Sequence, residues 1–239
     1  MKASTHILRI GIKRTNPASG GSCMLEKMGE FFEARLNGYE EHQLTCIDSA
    51  HEFYPFTASC LPKNADSNIL DLGCGTGLEL GYYFETVPTA KITGIDLSPG
   101  MLDVLHSKFS DKSLTLITGS YFNVPFDECA FDAAVSVESL HHFTKEEKIL
   151  LYEKVRKALR PRGFFVLTDY FAASDEEERF HRAELLRLKN EQGIHDDAFY
   201  HYDTPLTIDH EKEALISAGF SSITVLGNWG PTYTLRADR

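Results

Sequence analysis

Residues 68–80 read NILDLGCGTGLEL. An apolar run carrying one acid, Asp71, gives way to glycines at every second position, Gly73, Gly75 and Gly77, before a second apolar run begins. Glycine weakens both strands and helices because it has the most backbone freedom to lose. Three of them at a strand-to-helix handover therefore mark a place that needs bare backbone, where another group comes close. In an open sheet with helices on both faces this turn lies at the carboxyl end of a strand, where such sheets bind ligands. The start of the next helix adds free N–H groups and a positive dipole end, which suits an anion.

The chain on either side fits that reading. KITGID (91–96) is a second strand, after which Ser98 caps a helix with Pro99 at its first position. LTLIT (114–118) and FDAAVSV (131–137) are the third and fourth strands. Thr144 and Glu147 form a capping box for a helix that RPRG (160–163) stops, and FFVLTDY (164–170) is the fifth strand. Ser174 with Glu177 makes a second capping box that opens a long charged helix through about Asn190, and TIDHEKEALISAGF (207–220) is a helix ending at Gly219. SSITVLG (221–227) and PTYTLRA (231–237), joined through Asn228, Trp229 and Gly230, read as a closing hairpin. Strands alternating with helices predict a parallel sheet covered on both faces.

Upstream, MLEKMGEFFEARL (24–36) places Leu25, Met28, Phe32 and Leu36 on one helical face; Gly38 interrupts, and YEEHQLTCI (39–47) resumes the helical period. LPKNADSN (61–68) reads as a loop. Residues 1–23 carry Lys2, Arg9, Lys13 and Arg14 with no acid, and are expected to be a flexible basic extension. The expected division is therefore this extension, a helical cap over 24–64, and a ligand-binding domain over 65–239 with an inserted roof at about 171–210.

Composition narrows the partners. With 239 residues and 42% hydrophobic content the chain can bury a sizeable core. Its 24 Lys plus Arg stand against 35 Asp plus Glu, a net charge of −11 that repels nucleic-acid backbones and speaks against DNA or a large RNA. The cysteines Cys23, Cys46, Cys60, Cys74 and Cys129 form no C-x-x-C pair, a pattern that suits a reducing cytoplasm. No stretch reaches the about 18 consecutive apolar residues of a membrane span. Oligomeric state is not legible.

DLGCGTG (71–77) followed by GIDLSPGML (94–102), GSYFNVPF (119–126), FDAAVSVESLHHF (131–143) and LRPRGFFVLTDY (159–170) resembles the class I S-adenosylmethionine-dependent methyltransferases over roughly residues 65–170. The resemblance implies a Rossmann-like, doubly wound, mostly parallel seven-stranded sheet whose last strand is antiparallel. It implies S-adenosylmethionine as cofactor, its methionine half on Gly73, Cys74, Gly75 and Gly77 with Asp71 near the amino group. Asp96 would accept from both ribose hydroxyls, and Leu97 and Met101 would flank the adenine. The family carries an acid where Ser120 stands, so the backbone of Ser120 and Tyr121, together with Phe122, is left to hold the base.

Chemistry makes few demands on such a protein. A sulfonium-bound methyl is already activated, so alignment in a water-excluded pocket supplies much of the rate. A base is needed only if the acceptor must lose a proton, and Glu138 and His141, beyond the fourth strand, are the candidates. His141 and His142 are adjacent at a strand end and are expected to point in different directions, so no metal is assigned. The acceptor pocket is expected under the leader, with Phe31, Phe32 and Tyr39, and under HDDAFYHYDTP (195–205) with Tyr200 and Tyr202; Trp229 is a further candidate. A compact roof points to a small-molecule acceptor. A protein or tRNA methyltransferase, a cofactor-binding module without turnover, and a nicotinamide oxidoreductase remain as alternatives.

Overall fold

A computed structural model describes residues 24–239, so the basic extension 1–23 lies outside the described residues. Helices α1 (Met28–Glu33), α2 (Tyr39–Cys46) and α3 (Ala50–Ser59) come first. Strands and helices then alternate through β1 (Asn68–Leu72), α4 (Leu78–Thr86), β2 (Lys91–Asp96), α5 (Pro99–Lys108) and β3 (Ser113–Thr118). After them come β4 (Phe131–Val137), α6 (Lys145–Ala158), β5 (Leu159–Tyr170), α7 (Asp175–Glu191) and α8 (Ile208–Ser217). The hairpin β6 (Ser222–Trp229) and β7 (Thr232–Asp238) closes the chain.

The seven strands form one sheet in the order β3-β2-β1-β4-β5-β7-β6. Strands β1 to β5 run parallel, and β7 inserts antiparallel between β5 and β6. The direction of winding reverses between β1 and β4, so a crevice opens beyond their carboxyl ends. This is the mostly parallel Rossmann-like sheet the sequence predicts.

Both faces of the sheet are buried, as the apolar strands require. Leu70, Leu72, Ala134, Phe165 and Leu167 join one core with α6 and α8. Ile69, Ala133, Val135 and Val166, their alternate neighbours, join the other with α3, α4 and α5. Each large side chain so buried contributes about 1.5–3 kcal/mol. Ser98 caps α5 by accepting from Met101 N, and the Thr144–Glu147 capping box is closed in both directions.

Local expectations change in several places. The helix expected from Met24 is only α1, because Lys27 bridges to Tyr200 and Met28 N donates to Phe199 O, which holds residues 24–27 extended. The RPRG stretch lies inside β5: Leu159 pairs with Phe131, Phe164 with Ala133, and the residues between form an irregularity that carries Arg162 at φ 69°. The box at Ser174 is half closed: its hydroxyl accepts from Glu177 N, but the Glu177 carboxylate takes Ala173 N. Asn228 and Trp229 belong to β6, and the hairpin turns after them at Gly230, φ 61°. Helix α3, to which the sequence reading gave no element, buries Ala50, Phe53, Tyr54, Thr57 and Ala58 against the second core despite Pro55.

Candidate functional site

Beyond Leu72 the backbone turns through Gly73, Gly75 and Gly77 at φ 73°, 48° and 72°. These left-handed values explain the spacing, since side chains with a Cβ resist them. At Gly73 a Cβ would also fall 2.1 Å from the Ser139 hydroxyl, whereas at Gly75 it would meet only Tyr39 Oη at 3.7 Å. Gly75 is thus a glycine for its conformation and for what approaches it.

Asp96 ties this turn to the next. Its Oδ2 accepts from Gly75 N at 2.9 Å and its Oδ1 from Ser98 N at 2.9 Å. One N–H per oxygen leaves lone pairs for further donors. Burial holds this carboxyl above its usual range, against the backbone N–H groups. Glu33, which sequence reasoning missed, reaches over the same helix start: Ser98 Oγ donates to its Oε2 at 2.5 Å and Gly100 N at 3.1 Å. Lys108 docks α2 on the turn, with Nζ donating to Glu40 at 2.5 Å and to the Thr76 carbonyl at 3.0 Å.

Below the glycines Asp71 is buried, and neither carboxylate oxygen has a hydrogen-bond partner. Burial first, and then the neighbouring Glu79 carboxyl, push it well above the usual carboxylate range. Glu79 is likewise raised by burial, close enough for one proton to link the two. The turn's own amides at Gly73, Cys74, Gly75 and Gly77 are bonded to Ile95 O, Asp96 and Cys74 O, so a buried acid without a fixed donor beside the start of α4 fits a zwitterion that brings both an ammonium and a carboxylate. The methionine half of S-adenosylmethionine has those groups, and the ribose hydroxyls match the remaining capacity of Asp96.

The other expected cofactor residues take different positions. Leu97 packs near Gly29, where an added Cβ would lie 3.6 Å from it, while Met101, in the first turn of α5, is buried. Ser120 Oγ accepts from Phe122 N, and Tyr121 Oη donates to Ser139 O at 3.3 Å. Phe122 packs on Phe143 and Phe199. Cys74 is buried and its thiol is pushed well up by that burial, which suits packing and not nucleophilic chemistry.

A cavity of about 410 Å³ opens on the other side of Tyr39. Phe31, Phe32, Arg35 and Tyr39 wall it from the cap, Glu138, His141 and His142 from the segment after β4, and His201 and Asp203 from the far segment. Glu138 adopts φ 49°; its N–H donates to Thr168 O at 2.8 Å, and Thr232 Oγ1 donates to its Oε1 at 3.3 Å. His141 Nδ1 lies 2.6 Å from Asp169 Oδ1, and its Nε2 lies 3.5 Å from Asp203 Oδ1. Asp169 is fixed in turn by Leu140 N at 2.8 Å and Tyr170 N at 2.9 Å.

Burial alone would lower His141, but the two carboxylates outweigh it and raise it to about 10. His142 is driven to about 3, by burial and then by the charge on His141. Burial likewise takes His201, stacked on Phe31 at 3.5 Å, down to about 4. The two adjacent histidines do not diverge as expected: their rings lie 4.0 Å apart and both line the cavity, because they follow β4 in a turn and not within a strand.

Of the expected acceptor residues, Phe31, Phe32 and Tyr39 line this cavity, and Tyr200, Tyr202 and Trp229 do not. Residues 200–203 send alternate side chains to opposite sides. His201 and Asp203 face the cavity, while Tyr200 bonds Asp196 and Tyr202 packs with Leu25 and Leu188. Trp229 lies against Phe53 and Phe56, with its indole N–H donating to Glu52. Asp169 and Asp203 went unread in the sequence. The first carried a signal, an acid at the end of a parallel strand; the second carried none.

Among the described residues no helix is long and apolar enough to cross a membrane. Residues 69–163 match the family described as a methyltransferase domain. The chain is similar to a fatty-acid O-methyltransferase of Mycolicibacterium smegmatis, 32% identical over 42% of this chain and 36% of that protein. It is also similar to a sterol 4-C-methyltransferase of Caenorhabditis elegans, 24% identical over 49% of this chain and 35% of that one. The match thus spans little more than a third of these relatives' length.

Among solved structures, an S-adenosylmethionine-dependent methyltransferase from Mesorhizobium loti superposes with a TM-score of 0.57 at 22% identity, over 77% of this chain and 96% of that one. The protein in the DhpI-SAM-HEP complex does so with a TM-score of 0.64 at 18% identity, over 88% and 94%. At that identity the likeness is one of fold. Family match, fold and the glycine turn agree: residues 69–163 match a methyltransferase domain, the fold is one shared with S-adenosylmethionine-dependent methyltransferases, and the turn with its buried acids suits S-adenosylmethionine as cofactor.

Proposed function

We propose that this protein transfers a methyl group to a small-molecule acceptor held in the cavity beside Tyr39. The observation that carries the reading is shared ownership of that tyrosine: its ring walls the cavity, and its hydroxyl stands over Gly75. An acceptor in the cavity would therefore face the turn that takes the methionine half of the cofactor. The bound cofactor supplies an activated methyl. The chain supplies alignment and exclusion of water.

Glu138 receives the acceptor's proton where one must leave, its carboxylate positioned by Thr232 and by a backbone bond to β5. His141, clamped by Asp169, presents Nε2 toward the same space. The cap 24–64 and the segment at about 171–210 provide the walls that the sheet lacks. Aromatic walls with a few charged groups suit a partly apolar acceptor, and fatty acids and sterols, named for the relatives, head the candidates. Cys46, Cys60, Cys74 and Cys129 are unpaired, which supports a reducing compartment such as the cytoplasm.

The test is a turnover screen with isotopically labelled S-adenosylmethionine against fatty acids, sterols, phenols and small amines. A singly methylated product, lost when Phe32→Trp fills the cavity, is expected. Tight S-adenosylhomocysteine binding without turnover on any acceptor class, protein and tRNA included, would leave a binding module instead.

A further inference from the structure

The cavity wall also holds a cluster of side chains of metal-ligand type. His141, His142 and Asp203 each offer one ligand-type atom, all within 4.8 Å of one another. Asp203 Oδ1 lies 3.5 Å from His141 Nε2 and 3.4 Å from His142 Nδ1. Both separations are long for hydrogen bonds. They match the edge of a tetrahedron built on metal–ligand bonds of about 2.0–2.1 Å, which is about 3.4 Å. We propose that His141 Nε2, His142 Nδ1 and Asp203 bind a divalent transition metal, zinc foremost, with the fourth position open to the acceptor cavity.

The surroundings support this assignment. Asp169 accepts from His141 Nδ1, which fixes the ring orientation and directs Nε2 inward, the carboxylate–histidine arrangement that metal sites use outside their ligands. Asp169 is itself held by two backbone N–H groups. Asp203 and His142 are largely enclosed, with side-chain exposures of 16% and 3%, so few waters compete for the position. Two imidazoles and one carboxylate suit zinc or ferrous iron better than calcium or magnesium, which prefer all-oxygen shells. His142 Nδ1 also lies 3.2 Å from the Tyr202 carbonyl; on ligation its proton moves to Nε2 and that contact is given up. The metal takes the place of the proton on His141 Nε2, which leaves to solvent.

Such a metal would act as a Lewis acid on an acceptor oxygen or nitrogen at the open position. Glu138, with a carboxylate oxygen within 4.8 Å of a His141 ring nitrogen, would remain to take the proton. The metal site stands apart from the methyl-transfer reading, because binding is measured without turnover.

The experiment uses the tag-free full chain, stripped with chelator and dialysed. Zinc is titrated against a chromophoric competitor, and cobalt(II) absorption reports the geometry. One zinc per chain and a tetrahedral cobalt spectrum are expected. Asp203→Asn and His142→Gln should each weaken zinc at least tenfold, and Asp169→Asn about 10–100-fold. His210→Ala, a histidine paired with Glu178 outside the cavity, should change nothing. Circular dichroism checks folding, and the near-isosteric Asp203→Asn guards against loss of fold. Absence of stoichiometric zinc in the parent chain overturns the site, as does binding that survives both ligand substitutions.

Discussion

The two halves of the crevice are built in different ways. The half that the proposed function gives to the cofactor is local: Gly73, Gly75, Gly77 and Asp96 lie at the ends of β1 and β2, neighbours in the sheet, and Asp96 ties the two turns together by accepting from Gly75 N and Ser98 N. The cavity proposed for the acceptor is assembled from distant pieces: α1 and α2, the turn after β4, the end of β5, and residues 201–203. Backbone turns need particular residue types, so the first half leaves a mark in the sequence. A cavity wall needs only side chains of suitable size and polarity, which many residues satisfy, so the second half leaves little.

The sharpest way to break the division is Gly75→Val. A branched residue cannot adopt φ 48° without strain, and its methyls would fill the space under Tyr39. S-Adenosylhomocysteine affinity should fall by more than about 100-fold, roughly 3 kcal/mol, while helical content is kept. Retained affinity by calorimetry would move the cofactor off this turn. On the acceptor side, Glu138→Gln should lower kcat by about 10²–10⁴-fold for an acceptor that must lose a proton. Cofactor affinity should stay unchanged, and a fall in it instead would show that Glu138 belongs to the first half.

Asp96→Ala is the next test in size. Loss of charge-assisted hydrogen bonds to a ribose costs about 1–3 kcal/mol. Here the same carboxylate also receives Gly75 N and Ser98 N, so the substitution loosens both turns. A weakening in that range with a small drop in melting temperature is expected. Unchanged affinity would place the ribose elsewhere.

The record of the sequence follows the same division. The alternation of strands and helices, the caps at Ser98 and Thr144, and the glycine turn were legible because each rests on a rule of short range. Helix α3 was legible but unread: Ala50, Phe53, Tyr54, Thr57 and Ala58 recur at i, i+3, i+4, i+7 and i+8, the spacing of an apolar helix face, with Pro55 inside it. The leader misled for the opposite reason. Leu25 and Met28 carry a helical period, yet residues 24–27 are held extended by backbone bonds to 199–201, a partner 170 residues away that no local pattern announces. At 199–203 the run of aromatic residues drew notice to Tyr200 and Tyr202, when alternation sends their neighbours His201 and Asp203 into the cavity.

The smallest expected effect probes how the cofactor half uses its buried acids. Asp71 and Glu79 sit side by side under the glycine turn, both raised by burial. Without ligand, the folded chain keeps a proton there that the unfolded chain releases at ordinary carboxylate pH. Between the unfolded and folded pKa values the native state binds more protons, so stability falls as pH rises through that window. The slope cannot exceed about 1.4 kcal/mol per pH unit for one proton. A ligand ammonium reverses the preference, since it interacts best with the ionised pair. The thermal stabilisation given by S-adenosylhomocysteine should therefore grow as pH rises from the ordinary carboxylate range toward neutrality. Asp71→Asn removes one acid of the pair; it should flatten both the decline of the free protein and the growth of the ligand's effect. Melting curves across a pH series, with and without the ligand, read both slopes at once. If the substitution leaves the ligand's pH dependence intact, the ammonium lies away from Asp71 and the buried pair serves the fold alone.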